Sequence, residues 1–236
     1  MPEQPPTTHA WISAPNPRLY SLTNLNRYGR LIVDKSHRLA WKLDNAELLD
    51  LYLRHVSDRH LEIGPADMHF LSRTPAPAME HQWRVDVLDI NEAPLNMARE
   101  RLAGRARVGT HQHDVLATPW PLSDQSVGSL ACGNVLHCVP GKSFAAKATA
   151  IDEMSRVLND TGVAWGYTLL GAQDPALSPN LLARYLMYRY NRADNVFHNI
   201  GDRLTDLSRE LDLRFTEVRL WVMGCAAVWA VRGPRR

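Results

Sequence analysis

The chain is poor in cysteine, and its cysteines do not form a pattern typical of a metal site or a disulfide framework. Three occur among 236 residues, an odd number without a Cys-x-x-Cys pair. All of them lie in apolar surroundings, where a free thiol is commonly buried. We therefore expect buried, reduced thiols at Cys132, Cys138 and Cys225.

Long apolar runs and concentrated positive charge are also absent from the sequence. No apolar run reaches the ~18 residues of a membrane span, and the Pro-rich, polar N-terminus lacks a secretory signal pattern. The 27 basic and 25 acidic residues give a net charge of +2, without a run of five Lys or Arg. The sequence thus predicts a cytoplasmic protein that binds neither a membrane nor a nucleic acid.

Apolar runs that end in a polar residue alternate with helical patterns along the middle of the chain. We expect strands near 60–64, 84–89, 107–113, 127–133 and 162–169, and helices near 66–73, 92–103 and 143–158. Strands that alternate with helices need crossover connections, which indicates a mostly parallel sheet. Two β-rich runs, 216–222 and 226–231, predict a terminal antiparallel hairpin.

The flanking segments predict an arm and additional helices. Residues 1–18 hold five prolines and little periodicity, which indicates a flexible arm. Residues 19–43 predict one or two helices, and Asp44 is the expected N-cap of a helix over 45–56. Further helices are expected over 179–192 and 202–212. Residues 44–232 would form the main domain, with a segment inserted at about 171–200.

Polar residues at the predicted strand ends are the candidate ligand-binding groups, because ligands bind at the carboxyl ends of strands in open α/β sheets. These ends read Glu62-Ile63-Gly64-Pro65-Ala66-Asp67-Met68, Leu88-Asp89-Ile90-Asn91, His113-Asp114-Val115 and Asn134-Val135-Leu136-His137. The ordered set resembles the class I S-adenosylmethionine-dependent methyltransferases over roughly residues 45–232. Segments 54–62, 135–141 and 183–191 are most similar to small standalone enzymes of microbial secondary metabolism.

The resemblance implies an α/β fold: a Rossmann-like, seven-stranded, mostly parallel sheet with a C-terminal antiparallel hairpin, helices on both faces, and N-terminal and inserted lid helices. It also implies S-adenosyl-L-methionine as the cofactor. Glu62 would bind the methionine amino group, Asp89 the ribose hydroxyls, and Asp114 with Val115 the adenine. The implied cofactor-binding residues are Glu62, Gly64, Ala66, Asp89, Ile90, Asp114, Val115, Asn134 and Leu136.

The loop after the first strand departs from the family's acidic-x-Gly-x-Gly-x-Gly pattern. Only Gly64 is kept, and Ala66 and Met68 replace the second and third glycines. A purely structural turn is therefore an alternative reading of this loop. A nicotinamide dehydrogenase is a poorer match, because its Gly-x-Gly-x-x-Gly motif would place Ala66 and His69 at glycine positions. Asp89 could equally be a helix N-cap, and Asp114 part of a surface turn.

His137 is the candidate general base, because a neutral imidazole can take a proton from a hydroxyl or amine near neutral pH. A loop histidine bonded to the backbone is the alternative. His111 and His113 are spaced like a metal pair. No third ligand is evident, so we predict no metal. The candidate substrate-binding residues are aromatic side chains of the two lid segments, which suit a flat apolar substrate: Tyr20, Tyr28, Tyr185 and Tyr188.

The predicted activity is metal-independent methyl transfer to an O or N nucleophile of a small, apolar or aromatic metabolite, by a monomer or homodimer. Two alternatives stay open. The same fold could catalyse a cyclisation or rearrangement with S-adenosylmethionine bound structurally, as a pericyclase-like enzyme would. It could also serve as a non-catalytic binding protein.

Overall fold

A computed structural model describes residues 12–77, 82–192 and 196–236. The strands are β1 (Arg59–Ile63), β2 (Arg84–Asp89), β3 (Arg107–Gln112), β4 (Val127–Gly133), β5 (Leu158–Leu169), β6 (Phe215–Met223) and β7 (Ala226–Pro234). The α-helices are α1 (Leu22–Tyr28), α2 (Asn45–His55), α3 (Glu92–Arg101), α4 (Ala148–Val157), α5 (Leu181–Arg192) and α6 (Leu204–Asp212). A π-helical segment spans Gly29–Trp41, and short 3₁₀ turns span Leu71–Arg73, Leu136–Cys138 and Phe144–Lys147.

The seven strands form one mixed sheet in the order β3-β2-β1-β4-β5-β7-β6. Strands β1 to β5 pair in parallel, and β7 pairs antiparallel with both β5 and β6. The predicted mostly parallel sheet with a C-terminal hairpin is confirmed. The direction of winding reverses between β1 and β4, and such a switch point opens a crevice at the carboxyl ends of the strands.

Two hydrophobic cores form because successive side chains of a strand point to opposite faces of a sheet. Leu61 and Ile63 of β1 pack into the core on one face together with Trp229 of β7. Val85 of β2 and Trp165 of β5 pack into the core on the other face, together with the π-helical segment. Helices and lid segments therefore cover both faces of the sheet.

An N-cap residue and an apolar face, both visible in the sequence, explain the helix that precedes β1. Asp44 accepts a hydrogen bond at Oδ1 from Ala46 N at 2.8 Å, which caps α2 as predicted. Leu48, Leu51 and Tyr52 then form the buried face of α2. Among the described residues, no helix combines the length and apolar character that crossing a membrane requires.

The predicted helix over 66–73 is wrong. The chain runs through turns after β1, and only Leu71–Arg73 forms a short 3₁₀ turn. The reason is backbone geometry: Gly64, Ala66 and Met68 have φ values of 62°, 47° and 59°. Such left-handed residues cannot continue a right-handed helix. The loop thus keeps a left-handed backbone at all three positions where the family pattern has glycine.

Gly64 is the position at which this loop requires glycine for space as well as for conformation. A Cβ atom there would lie 2.3 Å from Val135 Cγ2. Ala66 and Met68 instead carry the cost of a left-handed backbone, roughly 1–2 kcal/mol for each residue. Met68 offsets that cost by packing its side chain into the same core as Val85 and Trp165.

Met68→Gly should lower the free energy of unfolding. Losing a buried methionine side chain costs ~2–5 kcal/mol, which exceeds the ~1–2 kcal/mol recovered from the left-handed backbone. Urea denaturation measures the difference. Ala66→Gly is the matched control, because it relieves the same backbone conformation while removing one methyl group, and should stay within ~1 kcal/mol of wild type. An M68G protein as stable as wild type would show that the core contact contributes nothing.

Candidate ligand-binding site

A cavity of about 520 Å³ lies at the switch point between β1 and β4. Its volume is within the ~300–1,000 Å³ usual for small-molecule sites. Residues from both lid segments also line it. Seven of the residues implied by the resemblance line this cavity: Gly64, Ala66, Asp89, Ile90, Asp114, Val115 and Asn134.

Two of the implied residues do not reach the cavity. Leu136 is 1% exposed and packs into the core that contains Leu61, so its assignment is corrected. The Glu62 carboxylate accepts a hydrogen bond from Tyr52 Oη at 2.8 Å and lies 3.0 Å from His60 Nε2. Glu62 lines only a narrow side pocket, which shares Gly64 with the main cavity.

Asp89 offers one carboxylate oxygen to the cavity. Its Oδ1 accepts hydrogen bonds from Asn91 N at 2.7 Å and Asn91 Nδ2 at 3.2 Å, and neither bond involves Oδ2. Burial raises the pKa of Asp89 to about 6, although hydrogen bonds from Asn91 and from the Ile90 backbone oppose the rise. Asp89 thus braces the loop before α3 with one oxygen and keeps the other as an acceptor, which fits a ribose hydroxyl.

The side pocket contains acceptors that lack donors. Asp67 Oδ1 and Asn134 Oδ1 are buried without a partner among the described residues, and both residues line the pocket beside Glu62. The other oxygen of Asp67, Oδ2, accepts a hydrogen bond from Gly29 N at 3.0 Å. Burial raises the pKa of Asp67. Unsatisfied buried acceptors are costly, and an ammonium group is the donor that would satisfy them. The residues present therefore fit the amino end of S-adenosylmethionine.

Asp114 is the site residue that does not fit its implied role. It accepts hydrogen bonds at Oδ2 from Ile12 N (2.8 Å) and Ser13 N (2.6 Å), and at Oδ1 from Ser13 Oγ (2.8 Å) and Leu116 N (3.0 Å). Residues Ile12–Asn16, which we call the strap, also line the cavity. The described part of the predicted flexible arm is thus fastened to the sheet edge; residues 1–11 lie outside the described residues.

The predicted substrate-binding tyrosines divide between the cavity and the surface. Tyr20 and Tyr28 line the cavity. Tyr185 and Tyr188 are 56% and 63% exposed and do not line it, so their assignment is corrected. The cause is helical spacing: Ala183 and the residue four positions later, Met187, occupy the buried face of α5.

His137 does not line the cavity either. Its side chain is 1% exposed, and its ring packs edge-on against Phe197 with centroids 4.5 Å apart. Burial, together with the nearby Lys147, lowers the pKa of His137 to about 3. The prediction of His137 as general base is therefore corrected, because the buried ring does not line this cavity.

His198 is the titratable group that sequence reasoning missed. It lines the cavity, and burial together with the nearby Lys147 lowers its pKa, so its ring is neutral at physiological pH. His198 lies within the predicted second lid segment, but no motif or spacing marks it. Only the folding of the lid onto the sheet brings it to the cavity.

Both backbone polar groups of His198 are fixed. Its N–H donates to His137 O at 2.6 Å, and its carbonyl accepts from Lys147 Nζ at 3.0 Å. Lys147 also forms an ion pair with Asp202 Oδ2 at 2.6 Å, and neither side chain is exposed. This buried pair fastens the lid loop to the 3₁₀ turn at Phe144–Lys147 and holds His198 at the cavity wall.

The remaining candidate groups have structural surroundings. His111 Nε2 lies 3.0 Å from Asp86 Oδ1, and His113 Nε2 lies 2.9 Å from Ala117 O, so each ring already has its own partner. Cys132 and Cys225 are buried free thiols, as predicted. Cys138 is half-buried and lines the cavity.

Comparison with known proteins points to one family. A family profile described as a methyltransferase domain matches residues 61–165. YbcY of Escherichia coli (strain K12), an uncharacterized protein, is 30% identical over 85% of this chain and 98% of its own length. Demethylluteothin O-methyltransferase of Streptomyces thioluteus is 29% identical over 89% of this chain and 87% of its own. The solved structure of N-methyltransferase NodS from Bradyrhizobium japonicum WM9, in complex with S-adenosyl-L-homocysteine, shares the fold, with a TM-score of 0.54, 18% identity and coverage of 81% of this chain and 86% of NodS.

Asp202→Ala should lower the free energy of unfolding by ~3–5 kcal/mol, because it leaves the buried Lys147 ammonium without a counter-ion. The double variant Lys147→Met, Asp202→Leu should lose much less, since it removes both charges. Asp50→Ala is the control, because it breaks an exposed Arg54–Asp50 pair, which is worth ~1 kcal/mol or less. Urea denaturation of the three variants measures this, and an equal loss for D202A and D50A would contradict the buried pair's role.

Proposed function

Because this chain belongs to the class I S-adenosylmethionine-dependent methyltransferases, we propose that it methylates an O or N nucleophile of a small, apolar or aromatic metabolite without a metal. The observation that carries the proposal is one cavity that combines Asp89, an acceptor for the cofactor, with His198, a neutral base. A binding protein would need no base there.

The cofactor half of the cavity would be held by the strand-end residues. Asp89 Oδ2 would accept from the ribose hydroxyls, and Ile90 and Val115, which line the cavity beyond it, would pack on the adenine ring. Asp67 and Asn134 would accept from the amino group of the methionine part. When bound, S-adenosylmethionine supplies an electrophilic methyl group on a sulfonium, which a nucleophile displaces in line.

The acceptor half of the cavity would be formed by the lids. Its lining is apolar and aromatic, which suits a flat apolar molecule. The aromatic members, Tyr20 and Tyr28, come from the N-terminal lid, and Val196 comes from the second lid. These walls would orient the acceptor and exclude water, and positioning of this kind supplies a large share of the rate of a two-reactant reaction.

His198 would take the proton that the nucleophile loses. Its lowered pKa leaves an imidazole nitrogen free to accept at neutral pH, and the fixed backbone holds the ring at the wall. The ammonium of Lys147 disfavours a second positive charge nearby, so the proton would pass from His198 to solvent after transfer.

The relatives favour oxygen as the acceptor atom, since the Streptomyces thioluteus enzyme is named as an O-methyltransferase. The similarity to the same Streptomyces thioluteus enzyme also supports a role in secondary metabolism. The cytoplasmic location and the monomeric or dimeric state stay predictions from the sequence.

Incubation with candidate phenols or amines tests the proposed function. A product heavier by one methylene, formed with S-adenosylmethionine and not with S-adenosylhomocysteine, is the expected mass-spectrometric result. Product of unchanged mass formed with S-adenosylhomocysteine would overturn methyl transfer and support a rearrangement.

His198→Ala should lower the rate of methyl transfer by ~10²–10⁴, the range usual for a general base. In the wild type, the rate should fall as the pH drops through the lowered pKa of His198, because only the neutral ring accepts a proton, and this dependence should vanish in H198A. Single-turnover rates across pH measure both effects. His55→Ala, on α2 and outside the cavity, is the control and should keep the wild-type profile. If H198A kept the pH dependence, another residue would be the general base.

A further inference from the structure

The Asp114 carboxylate has no acceptor capacity left for a ligand. An ionised carboxylate offers about four lone-pair directions, and Asp114 fills them with three donors of the strap and with Leu116 N. The side chain is almost fully buried. An adenine amine could therefore bond to Asp114 only by displacing part of the strap.

The strap is anchored a second time beside the ribose acceptor. Asn16 N donates to Asn91 Oδ1 at 2.6 Å, and Asn91 in turn donates to Asp89 Oδ1. The two anchors, Asn91 and Asp114, follow neighbouring strands β2 and β3. The strap therefore spans the edge of the cavity where the adenosine part of the cofactor would lie.

The strap forms a wall of the cavity without filling it. The cavity keeps its volume of about 520 Å³ with the strap in place, and all five strap residues contribute to its lining. The space beside the strap reaches Asp89, Ile90 and Val115, the residues proposed to hold the adenosine part. The strap is therefore positioned to cover a ligand bound in the cavity.

We propose that Asp114 is a positioning residue that fastens the strap over the adenosine half of the cofactor and does not itself bind adenine. This inference deepens the proposed function, on which it rests for the place of the cofactor. The adenine ring would then be held by packing against Ile90 and Val115 and by the strap. Cofactor exchange would require the strap to leave Asp114.

The test is a double-mutant cycle on the full chain, with S-adenosylhomocysteine as the probe. Ser13→Pro removes two of the strap's three donors to Asp114, the Ser13 N–H and the Ser13 hydroxyl. Asp114→Asn replaces the carboxylate that anchors them. Each single variant should weaken binding in calorimetry by about tenfold and speed release of the probe. The double variant should be no more than about twofold weaker than S13P, because S13P removes most of the strap's anchor and only the Ile12 N–H bond is left for D114N to weaken.

Three results would overturn the proposal. A further tenfold loss when D114N is added to S13P would mean that Asp114 binds adenine directly. Tighter binding by S13P would mean that the strap competes with the cofactor. Unchanged affinity and release in S13P would mean that the strap covers nothing. Ser13→Ala, which removes only the hydroxyl, should give a smaller loss and guards against misfolding of S13P, whose melting temperature is measured alongside.

Asp67→Asn is the matched control, because Asp67 lines the side pocket proposed for the amino end of the cofactor and its hydrogen bond comes from Gly29 N, not from the strap. Its loss of affinity should add to that of S13P. The probe binds without an acceptor molecule, so these results do not depend on whether methyl transfer to a small metabolite is observed. A protein that binds S-adenosylhomocysteine with the expected cycle but yields no methylated product would retain the strap proposal and lose the proposed function.

Discussion

The reversal of winding between β1 and β4 is the constraint on which the arrangement of this protein depends. A parallel sheet must send its chain back across one face or the other after each strand, and the two directions separate at this point. Gly64 at the end of β1 and Asn134 after β4 therefore both line the crevice at this point. Residues of the two lid segments and of the strap line it as well, and the buried ion pair fastens the second lid segment.

Fastening the second lid segment over the crevice requires a buried ion pair. The second lid is held by Lys147 and Asp202, two opposite charges taken fully out of water. Such a pair stabilises the fold little more than apolar packing would, but removing one partner is strongly destabilising because the other charge stays buried and unpaired. Its value here lies in geometry, because the same ammonium that pairs with Asp202 also fixes the carbonyl of His198. A hydrophobic contact could hold the lid but could not orient that carbonyl.

The cavity-lining residues at the ends of β2 and β3 were predictable from the sequence, as were Tyr20 and Tyr28 of the first lid segment, whereas His198 of the second was not. Asp89 could be assigned because a polar residue that ends a parallel strand must lie at the crevice. His137 and Leu136 follow β4 just as closely, yet the 3₁₀ turn at Leu136–Cys138 rotates both into the interior. His198 follows no strand, and its position depends on contacts with His137 and Lys147 that no local pattern encodes. The helix expected over 66–73 was wrong for a different reason. Alanine and methionine favour a right-handed helix, so the left-handed backbone at Ala66 and Met68 could not be predicted from their identity.

The position of Cys138 bears on which nucleophile can react in this cavity. A thiol beside a sulfonium methyl donor is a competing acceptor, and the reactive form is the thiolate. Burial raises the pKa of Cys138 to about 12, so the thiol stays protonated near pH 7. Under the proposed function, the exclusion of water that favours transfer to a bound metabolite would also protect the enzyme from alkylating itself. The low polarity of the cavity, as well as its shape, would then decide which nucleophile is methylated.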